Sequence, residues 1–362
     1  MAKELPKRLE FIEGMRGIAA LYVVLQHIVT LTDPYGKLPL PGAIKAVMGS
    51  LLYGHFAVSA FIVLSGFCLQ MALFQRGDGT LTDVESFLIR RCRRILPPYY
   101  ACLAFSVLVV LTVTTKQSGM PWEQYLPLTT ENLMAHVLMI HNFSRDWMYK
   151  INGVLWSISI EFQLYFLFPL ICAAMVKFGI LRSLICSGLI ATGCLLLFPV
   201  TEKLYIWYFG LFVLGMASAR WTFDQQFQGL GLRRFGFGSF GLFLLACLST
   251  QWTKELAIRD LLMGGSIALM LVYCSKDIAG WLPRLLSNRM LAVLGTFSYS
   301  LYLIHHPILQ IVYVSRPVIM QTPLRSVGYM FSIGLLMAIA CSFVFFWFFE
   351  RPFLRSKSSQ PS

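Results

Sequence analysis

An all-α, polytopic membrane fold of about ten transmembrane helices in one bundle is what the sequence predicts, on three observations. Hydrophobic residues make up 57% of the 362 and charged residues only 13%, about half the charged share of a soluble globular protein. Apolar stretches long enough to cross a bilayer recur along the whole chain. The cations behind the net charge of +13 sit between those stretches. No basic stripe with interleaved aromatics appears, so nucleic acid is set aside and membrane loops are favoured.

The first stretch, 14–33, follows the charged segment MAKELPKRLEFIEGMRG, which has no small-residue cleavage site. It reads as a retained helix rather than a signal peptide. Arg16 and His27 lie eleven residues apart in it. With an arginine at the membrane edge, ~1.5 Å of rise per residue puts the histidine ~16 Å deep, near the midplane. An ionisable group there is costly and normally faces a protein-lined cavity.

The second stretch, 51–74, mixes small and aromatic residues in GHFAVSAFIVLSGF, which suits close helix packing. The third, 95–114, is entered through RRCRRILPPYY. Arg91 and Arg94 share a helical face there and can clamp one anionic group. Two readings stand for this cluster: positive-inside anchoring, and a cytoplasmic phosphate site. Pro97 and Pro98 are expected to limit the helix or to let it restart at the membrane edge. In the fourth stretch, 157–176, Glu161 follows Ser157 by one helical turn. A carboxylate among Ile160, Phe162 and Leu164 needs a proton, a cation or a bridging role between helices.

Stretches 181–199, 204–220, 235–251 and 257–275 come next, and 204–220 and 235–251 are short or glycine-rich enough to tilt or break. The ninth, 290–314, holds LGTFSYSLYLIHHPILQ. It places His305 ~15 residues in, roughly 22 Å, with Pro307 loosening the local hydrogen bonding. The last, 328–349, ends at FFERPF, where Glu350 is expected to pair with a neighbouring arginine. The longest connection, 115–156, carries Pro121, Trp122, Trp147 and Asn152. A loop of that length usually serves as a lid or binding segment. Within it, Leu133–Ile140 is too short to span.

Ten spans put both termini on one side. Of the 30 lysines and arginines, 20 fall on that side and 10 on the other, which predicts cytoplasmic termini. Nine cysteines are scattered without a C-x-x-C, arguing against a disulfide framework or a zinc site; no metal is expected. The chain reads as one integral membrane domain, 1–352, with a polar cytoplasmic tail, 353–362.

Mapped by helical rise, His27, Glu161 and His305 reach similar depth from three helices. A carboxylate set against an imidazole is the geometry that makes histidine a general base for a hydroxyl. The blander reading of each histidine is a satisfied core residue. A rival of another class is a secondary transporter or flippase that uses the three groups as a relay.

These residues, in this order, resemble the membrane acyltransferase-3 family. The matches are EGMRGIAALYVVLQH (13–27), SAFIVLSGF (59–67), RCRRILPPY (91–99), WSISIEFQLYFLFP (156–169), FSYSLYLIHHP (297–307) and FFERP (348–352). The resemblance implies a ten-span inner-membrane protein that moves an acetyl or other short acyl group from cytoplasmic acyl-CoA, above all acetyl-CoA, to a hydroxyl of a sugar or related acceptor. It assigns His27 as the catalytic histidine and Arg91 and Arg94 as the pair that holds the coenzyme A phosphates. It matches Arg16 to the first-helix arginine, Glu161 to the polar residue of the fourth-helix motif and His305 to the late histidine. Glu13 stands where the family usually has aspartate, and Arg93 is an extra cation inside the pair. Some members add a soluble esterase-like domain, and none is expected here. Whether His27 acts directly or through an acyl-enzyme, and which acceptor is used, stay open at this level.

Overall fold

The computed structural model describes residues 9–115, 120–198, 204–227 and 231–354. The N-terminal Lys3, Lys7 and Arg8, the loop cations Lys116 and Lys203, and most of the polar tail lie outside the described residues. Among those described the chain is helical throughout, with no strand. The long helices begin with α1 (Glu10–Thr32), α2 (Gly42–Ser50), α3 (Gly54–Phe74) and α4 (Val84–Thr112). Two short helices, α5 (Thr130–Val137) and α6 (Arg145–Met148), precede α7 (Leu155–Phe178) and α8 (Ile180–Leu197). Then come α9 (Trp207–Phe223), α10 (Leu232–Trp252), α11 (Leu256–Lys276), α12 (Trp281–Leu286) and α13 (Arg289–Thr296). The chain closes with α14 (Ser298–Val314), α15 (Pro323–Tyr329), α16 (Leu335–Phe345) and α17 (Arg351–Leu354).

Eight helical stretches among the described residues are long and apolar enough to cross a membrane. The other two predicted spans are present as helices but fall short of that length. Stretch 204–220 is α9, and 290–314 is broken at Phe297 into α13 and α14; α9 and α14 have 17 residues each. That is ~25 Å of rise, the lower limit for a span. Both are buried along nearly their whole length. Their shortness, not a lack of apolar character, separates these two from the other eight.

The chain divides into two compact units. The first gathers residues up to 19, 55–84 and 160–296. Here α9 packs against α8 and α11, and α10 packs against α11. Helices α3 and α9 meet backbone to backbone. A Cβ on Gly66 would lie 2.2 Å from the Phe212 carbonyl, and one on Gly215 2.1 Å from that of Val63, so both positions require glycine. The glycine-rich helix expected to tilt or break is the unbroken 21-residue α10. Its small residues serve packing: the Ser239 hydroxyl donates to the Ser266 carbonyl at 3.0 Å and Ser266 returns the bond at 2.8 Å. Large apolar side chains of α8 and α10, such as Leu181, Leu189, Phe237 and Phe240, point outward, as hydrocarbon solvent permits.

The second unit gathers residues 20–54, 85–159 and 297–362, with α14 packed against α16. Helix α4 runs through Pro97 and Pro98 without a break, contrary to the expectation that they end or restart it. Two adjacent prolines remove only the donors to the Arg93 and Arg94 carbonyls, and the rest of the ladder carries the helix on. Glu350 closes the start of α14: its carboxylate accepts the Ser300 N–H at 3.1 Å and the Ser300 hydroxyl at 2.5 Å. A negative charge on the first turn also suits the helix dipole.

Candidate active site

The second unit brings two of the predicted catalytic residues together. His27 of α1 and His305 of α14 have ring centroids 5.0 Å apart. The Nδ1 of His27 lies 2.9 Å from the Val23 carbonyl, one turn back, and that of His305 lies 2.9 Å from the Leu301 carbonyl. A carbonyl only accepts, so each Nδ1 carries the hydrogen and each Nε2 keeps a lone pair. His305 Nε2 is 3.2 Å from His27 Nδ1 and therefore accepts a share of the same hydrogen.

Exposure separates the two roles. His305 is 0% exposed, whereas His27 keeps accessible surface although Val23, Val24, Ile28 and Val29 around it are buried. His27 is thus the partly accessible ring of the pair, and His305 the buried one. If His27 takes up a proton, its Nδ1–H becomes a charge-assisted donor to His305 and to the Val23 carbonyl.

His306 completes the cluster, edge-on to His27 at 4.9 Å. Its Nε2 is 3.1 Å from the Tyr125 hydroxyl, which accepts from Gln124 Nε2 at 3.1 Å. Tyr125 therefore has its own hydrogen to donate to His306, and burial raises the phenol and keeps that hydrogen on it. His306 Nδ1 has no hydrogen-bond partner among the described residues. Nearby, the Ser157 and Tyr302 hydroxyls are 2.7 Å apart, and the Tyr302 ring is 6.1 Å from that of His305.

The connection between α4 and α7 holds a second imidazole pair. His136 and His141 stack with centroids 3.8 Å apart and planes 8° from parallel. Ser159 bridges to the His141 ring at 3.2 Å. Burial lowers His136 to about 4 and His141 well below the usual histidine range, the latter also through its neighbour. Both are neutral and structural at physiological pH.

Arg91 and Arg94 are half-buried on one face of α4, while Arg93 between them is exposed. The helix thus separates the pair from the extra cation. Helix α4 runs beside α14: the Tyr299 hydroxyl donates to the Ile95 carbonyl at 3.1 Å and the Cys102 thiol to the Leu303 carbonyl at 3.2 Å. From Arg91 and Arg94 to the Cys102 level is ~12–17 Å along α4, and His305 lies ~3 Å beyond Leu303 along α14.

Glu161 and Arg16 fall in the first unit. The Tyr165 hydroxyl donates to Glu161 Oε1 at 2.6 Å and receives the Ser65 hydroxyl at 3.2 Å. Arg16 is 3.7 Å from Glu13 and within electrostatic reach of Glu161, Tyr165 and Cys68. A Cβ on Gly14 would sit 1.7 Å from the Leu286 carbonyl, so the glycine before Arg16 lets α1 lie against α12. The hydrogen bonds that orient His27 come from Val23 and His305, not from a carboxylate.

Sequence reasoning passed over Tyr125, and it passed over Asp260. Asp260, 0% exposed, accepts from Trp207 Nε1 at 2.9 Å and lies 3.7 Å from His55 Nδ1. His55 is thus half-buried against a carboxylate. Neither Tyr125 nor Asp260 sits in a pattern that marks it.

The fold is that of a multi-pass helical membrane protein whose second unit gathers three histidines beside a helix that carries an arginine pair. The chain belongs to the acyltransferase-3 family, whose acyltransferase domain it matches over residues 9–349. It is similar to the peptidoglycan O-acetyltransferase OatA of Listeria monocytogenes, 22% identical over 82% of this chain and 49% of that protein. It is also similar to the acyltransferase MdmB of Streptomyces mycarofaciens, 26% identical over 54% of this chain and 47% of that protein. A putative O-acetyltransferase of Staphylococcus aureus (strain COL) is 25% identical over 46% of this chain and 25% of its own length. The chain thus spans half or less of the length of these curated relatives. No solved structure matches it.

Proposed function

We propose that the protein is a membrane O-acyltransferase that moves an acetyl or other short acyl group from cytoplasmic acyl-CoA to a hydroxyl of a glycan or related acceptor. The bilayer carries it as a multi-pass inner-membrane protein of ten helices, α9 and α14 included, with both termini cytoplasmic. One observation supports the reading above the others. The register of α4 against α14 sets Arg91 and Arg94 roughly 15–20 Å from the imidazole pair by helical rise, a length comparable to an extended pantetheine arm by chain length.

In this reading the arginine pair holds the donor's phosphates, since guanidinium groups on one face bind phosphate in bidentate fashion. His27 Nε2 accepts the proton of the acceptor hydroxyl as its oxygen bonds to the thioester carbonyl carbon. The carbon–sulfur bond then breaks, the acyl group stays on the acceptor, and the proton passes from His27 to the departing thiolate. His305 shares the His27 Nδ1 hydrogen and stabilises the transient imidazolium. Arg16 and Glu161 are read as a compensated charge group of the first unit, with the Tyr165 hydroxyl donating to Glu161. The acceptor class follows the relatives, one of which is named for peptidoglycan.

The test is acetyl-CoA-dependent transfer, or hydrolysis where no acceptor is supplied, by purified protein in detergent or nanodiscs. The wild type is expected to consume acetyl-CoA and the inserted His27→Ala variant is not. Full activity in that variant removes the assignment. Failure of coenzyme A to raise the melting temperature of the wild type favours a relay in a transporter instead.

A further inference from the structure

Leu303 stands four residues before Pro307. In an α-helix the carbonyl of residue i is bonded by the N–H of residue i+4, and proline has no N–H. The Leu303 carbonyl is therefore left without its intrahelical donor inside the most buried helix of the second unit. An unmet carbonyl in such a place carries its full desolvation penalty.

Two side chains from outside the helix meet it. Asn152 Nδ2 donates to the Leu303 carbonyl at 3.2 Å, and the Cys102 thiol donates at 3.2 Å. A carbonyl has two lone pairs, and both are used. Asn152 is 1% exposed and the rest of its carboxamide is also engaged. The other Nδ2 hydrogen points at Ser106 Oγ, 3.0 Å away, and Oδ1 accepts the Val154 N–H at 3.3 Å just before α7. Only a carboxamide offers two donors and an acceptor in one plane, so no other residue type of this size replaces it.

His305 and His306 lie in the turn between Leu303 and Pro307, whose freed carbonyl Asn152 and Cys102 hold from outside the helix. We infer that Asn152 is a positioning residue for the His27–His305 pair: it fixes the rotation of that turn and so holds His305 Nε2 on the His27 Nδ1 hydrogen. Asn152 also closes the segment that carries Tyr125, so one side chain ties that loop to the imidazole turn.

The test is a double-mutant cycle with Pro307→Ala, which restores an N–H at 307 and returns the Leu303 carbonyl to the helix. Its activity part rests on the acyltransferase reading. Asn152→Ala is expected to lower kcat about tenfold, equivalent to about 1.4 kcal/mol, with KM for acyl-CoA within about twofold. Pro307→Ala alone is expected to stay near wild type, and the double variant to recover most of the loss. Should Asn152→Ala fail to insert, Asn152→Asp keeps the size and the Val154 cap while removing the amide donors, and enters the same cycle. Hydrogen–deuterium exchange of the 298–314 peptide gives a reading independent of activity: faster in the Asn152 variant, restored in the double. Additive losses, or exchange that Pro307→Ala does not restore, overturn the inference. A wild type without acyl transfer but with rescued exchange leaves the positioning role standing and removes only the catalytic reading.

Discussion

Each compact unit buries a polar cluster that uses part of α1, and the two clusters settle their electrostatics in opposite ways. In the first unit charge answers charge: Arg16 lies by Glu13 and within reach of Glu161, whose carboxylate takes the Tyr165 hydroxyl. In the second the polar groups are imidazole rings, of which His27 and His305 each spend the Nδ1 hydrogen on their own helix. A compensated ion cluster has little left to offer a reactant, because any change of protonation breaks its balance. The imidazole cluster leaves one ring, that of His27, partly accessible.

The sharpest way to break that comparison is to remove the open ring. His27→Ala is expected to lower acyl-transfer kcat by about a thousandfold, within the range for a positioned base, as read by thiol release from acetyl-CoA. His305→Ala, which leaves the base but removes the partner behind it, is expected to cost about ten- to a hundredfold in kcat and to shift the pH–rate profile. Next is the arginine face. Arg91→Ala combined with Arg94→Ala is expected to raise KM for acyl-CoA about tenfold while leaving kcat within about threefold, whereas Arg93→Ala changes neither appreciably.

Smaller effects are expected where the reading is structural. Tyr165→Phe deletes the donor to Glu161 and should cost about 1–2 kcal/mol of stability, measured by thermal melting, with activity per folded molecule within about threefold. A larger catalytic loss there would move Glu161 into the chemistry. The stacked His136 and His141 give a pH dependence in the connection between α4 and α7. Their folded-state proton affinity is depressed, so the unfolded chain binds more protons below about pH 6.5. The stability they contribute is complete above that value and is lost as the pH falls from about 6.5 toward about 4. His136→Asn combined with His141→Asn should flatten the melting temperature over that interval.

Much of this was legible in the residues themselves. The helical rise from Arg16 picked out His27, and the i, i+3 spacing of Arg91 and Arg94 gave the face that α4 presents. His305 was legible as a candidate because it interrupts an apolar run. What misled was local sequence taken as decisive: tandem prolines do not end α4, where only two carbonyls lose their donors, and glycines do not break α10, which packs along α11. Tyr125 left no signal, and Asn152, noted only as part of the long connection, gave no sign of its partner Leu303, since loop residues have no periodicity that marks them.

Hydropathy, spacing and rise per residue are properties of a single strand of sequence, and they alone determined that the chain is helical, bilayer-spanning, and equipped with an arginine pair and deep histidines. Tertiary structure decided which nitrogen holds each hydrogen, which ring is reachable and what repairs the Pro307 gap. Those outcomes depend on partners 278 residues apart for the two histidines and 151 apart for Asn152 and Leu303. A hydrogen bond is set by distance in space, and no one-dimensional pattern records it.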